Sequence, residues 1–253
     1  MKTRNIVLAT LTLGFMGISC QEATKKEAPA ATTDSVEVAQ QPVRSILTAE
    51  EQADMTPDEI IGRLKKGNEN FVANNLTTRD HSEQRRLATI GQYPKALVLS
   101  CVDSRVPVED VFDLGIGDVF VARVAGNIEN DDIVGSMEFA SAVAGSKVVI
   151  VMGHTACGAV KHAIDNTDAA SLGMNSLQNL LNEIRPVVET TEGEDVSSKN
   201  TPFTNKVITE NVAKTVEDIR NKSPKMTELE AAGSLKIVGA VYDMETGKVN
   251  FMR

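Results

Sequence analysis

The residues best suited to chemistry lie in two short stretches, Ser100-Cys101-Val102-Asp103-Ser104-Arg105 and Gly153-His154-Thr155-Ala156-Cys157-Gly158. The first joins a thiol, a carboxylate and a guanidinium at alternate positions, directly after the apolar run Ala96-Leu97-Val98-Leu99. The second places an imidazole and a thiol three residues apart, after the Val/Ile-rich run Lys147–Met152. If both runs are parallel strands of one sheet, their C-terminal ends share an edge, where open α/β sheets bind ligands. Cys101, His154 and Cys157 then converge from distant parts of the chain. Two thiolates and one imidazole suit zinc, and three protein ligands leave a fourth position open, the catalytic pattern.

Two thiolates cancel most of the ion's charge, so water bound there loses its proton less readily than at an all-histidine site. Asp103 is spaced to take that proton or its hydrogen bond. Arg105 can hold Asp103 ionised and oriented through a two-bond pair. The bland alternatives are a packed cysteine, a solvated Asp–Arg pair and a histidine bonded to a nearby carbonyl. Each is reasonable singly, but together they require several coincidences at matching strand ends.

The elements around these stretches alternate as in α/β proteins. Strands are expected at Ala96–Ser100, Asp118–Arg123, Lys147–Met152 and Leu235–Tyr242. A turn at Glu245-Thr246-Gly247 leads to Lys248–Phe251, which makes a C-terminal strand pair. Helices are expected at Pro107–Phe112, Asp131–Ala144, Gly158–Asp165, Ser176–Val188 (interrupted at Pro186) and Phe203–Asn221. Continuous apolar strands separated by helices imply a central, mainly parallel sheet flanked by helices. Ahead of it, Thr56-Pro57-Asp58-Glu59 opens a helix with Ile60, Ile61, Leu64 and Phe71 on one stripe, and a second covers 82–90. This N-terminal helical arm packs either on its own domain or around a second subunit.

The first 20 residues read as an export signal: Lys2 and Arg4 are followed by an apolar core, Ile6 to Phe15, too short to span a bilayer stably. Gly17-Ile18-Ser19-Cys20 resembles a bacterial lipoprotein signal, which would leave Cys20 as the lipidated first residue; ordinary secretory cleavage is the other reading. Residues 21–48 carry no apolar period and are expected to form a disordered tether. The catalytic domain is then 49–253. The expected location is outside the cytoplasm, periplasmic or attached to the outer membrane, touching the membrane only through the lipid. A net charge of -9 argues against a nucleic-acid partner. Gly115-Ile116-Gly117 lacks the third glycine of a dinucleotide-binding turn.

Cys101-Val102-Asp103-Ser104-Arg105 followed by His154-Thr155-Ala156-Cys157-Gly158 is similar to the paired signature of β-class carbonic anhydrases. The similarity runs from about Thr56 to the terminal strands. The resemblance implies one zinc per chain on Cys101, His154 and Cys157, with Asp103 and Arg105 as a catalytic dyad. It also implies reversible hydration of CO2 to bicarbonate by a zinc-held hydroxide, in a homodimer or tetramer. Gln92 matches a position whose amide, in the plant-like subclass, donates to substrate, often across a dimer interface. Phe120 matches an apolar wall of the substrate pocket, and Ala125, Phe139 and Gly158 fall at further substrate-binding positions. Ala125 and Phe139 depart from the plant pattern, which carries Val and Tyr there. Val98 stands where the bicarbonate-inhibited subclass carries Trp. The same fold and zinc ligands also serve enzymes that hydrolyse CS2 or COS. Two further alternatives are a metal-free thiol redox pair of Cys101 and Cys157, and a binding lipoprotein that keeps the fold without catalysis.

Overall fold

The computed structural model describes residues 41–252. The expected signal, Cys20 and the first part of the expected tether lie outside them. Among the described residues, no helix is long and apolar enough to cross a membrane.

A five-stranded sheet carries the domain: β1 (Ala96–Ser100), β2 (Val119–Arg123), β3 (Val148–His154), β4 (Lys236–Tyr242) and β5 (Val249–Phe251), in the order β2-β1-β3-β4-β5. The first four are parallel, and β5 closes the sheet antiparallel to β4, the expected terminal pair. β1 and β3 are buried along their whole length. That explains why both read as unbroken apolar runs, since a central parallel strand is covered on both faces. One face packs Val98, Ile150 and Met152 with Ile60, Leu64, Val108 and Phe112. The other packs Leu97, Leu99, Val149 and Val151 with Met137, Val212, Val216 and Ile219.

The helices are α1 (Ala49–Asp54), α2 (Pro57–Val72), α3 (His81–Leu87), α4 (Val108–Val111), α5 (Asp131–Glu138), α6 (Gly158–Ile164), α7 (Asn175–Thr190), α8 (Thr201–Lys222) and α9 (Pro224–Ala231). Thr48 and Thr56 each close a capping box at the start of α1 and α2. Ile60 and Leu64 of α2 are fully buried against the sheet, so this arm packs on its own domain.

Four local expectations are corrected. Residues at the end of the expected tether belong to the domain: the Val43 N–H donates to Thr78 O, its carbonyl accepts from Asp80 N, and Ser45 O accepts from Gln84 Nε2. Leu47 packs on the core, so these contacts order a stretch whose composition alone supports no structure. The helix expected over 131–144 changes pitch after Glu138: Phe139–Val143 is π-helical, and Ala144 N bonds Phe139 O. Helix α7 continues through Pro186 to Thr190, because burial of Ile184 and Val187 on either side outweighs one missing hydrogen bond. Finally, α8 starts at Thr201, where Asn200 caps the Phe203 N–H, and α9 follows it unannounced by any long apolar period.

Candidate metal centre

Strand register builds the site. Ser100 of β1 pairs with Met152 of β3, so Cys101, just past its strand, emerges beside Gly153 and His154. His154 ends β3, and Cys157 precedes α6 after one tight turn. That turn holds Ala156 at φ +60, a left-handed conformation costing a non-glycine residue about 1 kcal/mol. The reversal lets residues three apart face the same point. The sulfurs of Cys101 and Cys157 and a ring nitrogen of His154 lie within 4.8 Å of one another, and all three residues are buried.

The donor set fits a soft dication on two grounds. His154 Nδ1 donates to the Thr155 carbonyl at 3.0 Å, which leaves Nε2 as the bare acceptor. Nε2 is buried and has no hydrogen-bond partner among the described residues, so its lone pair points into the cluster unused. Donation from Cys157 lowers the Cys101 thiol well below its ordinary range, and burial works against it. Cys157 is correspondingly pushed up by that partnership and by burial. A dication between them would displace the remaining proton.

The loop after Cys101 turns back on itself. Arg105 Nε and Nη2 donate to Asp103 Oδ1 and Oδ2 at 2.9 and 2.7 Å, and the Arg105 N–H adds a third bond to Oδ1 at 3.0 Å. The Arg105 fork holds the Asp103 carboxyl far below the usual carboxylate range, against a smaller opposing effect of burial. Asp103 Oδ2 comes within 3.8 Å of His154 Nε2. The carboxylate therefore borders the metal position while its oxygens stay committed to Arg105.

Residues with no chemical signature of their own fix this geometry. Arg123, the last residue of β2, donates from Nε to Cys101 O (2.9 Å) and from Nη2 to Asp103 O (2.6 Å) and Val106 O (3.0 Å). It fastens the whole loop to the neighbouring strand. Gly153 gives α8 its seat: a Cβ there would lie 2.7 Å from Val212 Cγ2. The sequence signal for Arg123 is a cation closing an apolar strand, which reads equally well as solvent exposure.

The substrate positions inferred from resemblance divide into two groups. Ala125 immediately precedes Gly126, whose N–H reaches Cys101 Sγ at 3.4 Å, and Gly158 follows Cys157 with open space where a Cβ would stand. Both border the cluster. Gln92 does not: it is exposed and precedes β1, at the opposite strand end from Cys101. Phe120 pairs with Leu97 in register, several residues back from the cluster, and packs edge-on to the half-exposed Phe139 with ring centroids 6.1 Å apart. The fold thus brings Cys101, Asp103, Arg105, Ala125, His154, Cys157 and Gly158 together, and leaves Gln92 ahead of β1 and Phe120 with Phe139 at the outer strand β2.

The family model for carbonic anhydrase matches residues 96–249, from the start of β1 to the start of β5, with both signature stretches inside. The chain belongs to the β-carbonic anhydrase family. Carbonic anhydrase 2 of Mycobacterium tuberculosis is 33% identical over 186 residues, covering 73% of this chain and 87% of that protein. The β-carbonic anhydrase CafA of Aspergillus fumigatus shares the fold with a TM-score of 0.59 at 27% identity, over 68% of this chain and 81% of that one. A carbon disulfide hydrolase of Saccharolobus solfataricus is 32% identical over 95 residues, a shorter match covering 38% of this chain and 47% of that protein. β-carbonic anhydrases use zinc, and the Cys101–His154–Cys157 group of this chain is able to hold it.

Proposed function

We propose that this chain is a zinc carbonic anhydrase that interconverts CO2 and bicarbonate, working outside the cytoplasm on a lipid anchor at Cys20. The observation that carries the catalytic reading is the placement of Asp103 Oδ2 at 3.8 Å from His154 Nε2, with both carboxylate oxygens held by Arg105. Cys101, His154 and Cys157 hold the ion. Bound zinc supplies a Lewis acid that lets water lose a proton near neutral pH. Asp103 accepts the hydrogen bond of the reacting water, aims its oxygen at the CO2 carbon and helps pass its proton to solvent. Arg105 keeps Asp103 ionised and holds it back from the ligand atoms. Carbon dioxide and water leave as bicarbonate and one proton.

An assembly of at least two chains accompanies this reading. Gln92 and Phe120 stand off the metal cluster of their own chain, and a partner is needed to bring such residues to it. Related enzymes from Sordaria macrospora are described as tetrameric.

Stopped-flow CO2 hydration by the zinc-loaded chain, with CS2 hydrolysis in parallel, tests the activity. Rapid CO2 turnover without CS2 turnover is expected. A chain with one zinc bound and no rate above buffer sinks the proposal, and turnover of CS2 alone replaces it with the hydrolase reading. Metabolic palmitate labelling, present in the wild type and lost in Cys20→Ala, checks the anchor.

A further inference from the structure

Asn211 is no member of the metal cluster, yet it is only 2% exposed in the core-facing stripe of α8, among Val207, Ile208, Val212 and Thr215. An amide there is costly to bury and a poorer helix former than leucine, so its presence needs a specific partner. Its Nδ2 donates to the Gly126 carbonyl at 2.9 Å. Gly126 in turn donates its N–H to Cys101 Sγ at 3.4 Å. Gly126 sits at φ +72, and a Cβ on it would lie 2.6 Å from Ile184 Cδ1. Glycine suits this left-handed path with Ile184 packed above it, and Asn211 restrains it from the carbonyl side.

We propose that Asn211 is a positioning residue that sets the charge on the Cys101 sulfur, by holding the Gly126 N–H on it. A hydrogen bond to a thiolate draws electron density from the sulfur, so less negative charge reaches the ion and the ion stays the stronger Lewis acid. At a site with two thiolates this correction matters, because they neutralise most of the metal's charge. The inference rests on Cys101 being a zinc ligand and deepens that reading.

The test uses the full chain loaded with cobalt(II), comparing wild type with Asn211→Leu, which keeps the branching at Cγ and removes the donor. The thiolate-to-cobalt charge-transfer band is expected to move to lower energy in the variant, because a sulfur without its hydrogen bond gives up charge more easily. In the zinc forms, kcat/KM for CO2 should fall about 10-fold at neutral pH, the lower end for partners of metal ligands, and recover in alkaline solution. An unmoved band and an unmoved pH profile, with only a lower Tm, would show Asn211 to be packing alone and overturn the proposal. Should the variant fail to fold, wild-type protein loaded with cadmium-113 still decides: the Gly126 amide proton must show scalar coupling to the metal through Sγ, and its absence overturns the inference. A wild-type cobalt protein without any thiolate band would overturn the ligand assignment itself.

Discussion

Gln92 and Cys101 stand at opposite ends of β1. The five residues of Ala96–Ser100 lie between them, roughly 17 Å of extended chain. A glutamine side chain cannot cover that span, so Gln92 cannot serve the metal cluster of its own subunit. If Gln92 donates to substrate, it does so for a neighbour. Chains carrying Gln92→Leu and chains carrying Asp103→Asn, each weakly active, should therefore complement when unfolded, mixed and refolded together. A mixed pair has one site with both lesions and one with neither, so random dimers recover on the order of a quarter of wild-type activity. No recovery above the average of the two parents would mean that each subunit completes its own site.

The Asp103–Arg105 fork implies that the two side chains act as a unit. Removing the Asp103 carboxylate takes away the group that orients the reacting water, and removing Arg105 frees that carboxylate from its station. Asp103→Asn and Arg105→Gln should each lower kcat/KM by roughly 100-fold, within the range for acid–base groups, while zinc content stays at one per chain. The double variant should be no worse than the poorer single, because groups that cooperate are lost together. Losses that multiply would show that the two residues contribute independently.

Metal removal should act on the same cluster. Cys101 and Cys157 are both buried and unbridged, and zinc occupancy shields thiolates from alkylation. Dialysis against a strong chelator is expected to abolish CO2 hydration, lower Tm and make both thiols reactive, with readdition of zinc reversing all three. Full activity in protein shown to be metal-free is the result that would end the zinc reading.

The ligands were legible because each follows an apolar run whose burial pattern is unmistakable, and parallel pairing then carries Cys101 and His154 to one edge. Asp103 and Arg105 were legible because the pair is local, two residues apart in one loop. Asn211 and Gly126 were not, because their contact spans 85 positions and the side chain interrupts an otherwise apolar helix stripe. Gln92, Phe120 and Phe139 show a different limit: resemblance names the residues, but only the strand register shows that they stand away from their own chain's cluster. Pro186 marks where tertiary burial overrode a local rule, since the apolar face of α7 continues beyond it.

The last prediction concerns what holds the N-terminal segment to the domain. Asp113 is buried and accepts hydrogen bonds from Arg79 Nη1 at 2.6 Å, Asn70 Nδ2 at 2.9 Å, and the Thr77 N–H and hydroxyl at 3.0 and 2.8 Å. Burial by itself would raise this carboxyl, but the bonds from Arg79, Asn70 and Thr77 outweigh it and bring it to about 2. An unperturbed aspartate titrates near 3.9, so the folded form is the stronger acid by about two units, or about 2.5 kcal/mol. The sign follows directly: this stabilisation is complete above about pH 4 and is lost as pH falls through 2. Asp113→Asn should thus be less stable than wild type by about 2 kcal/mol at neutral pH, and the gap should narrow below pH 4. Urea midpoints for both chains at pH 7, 4 and 2.5 provide the measurement. The difference between the chains isolates Asp113, because loss of zinc in acid affects both alike. A gap that stays constant across that range would mean that Asp113 contributes through packing and not through its charge.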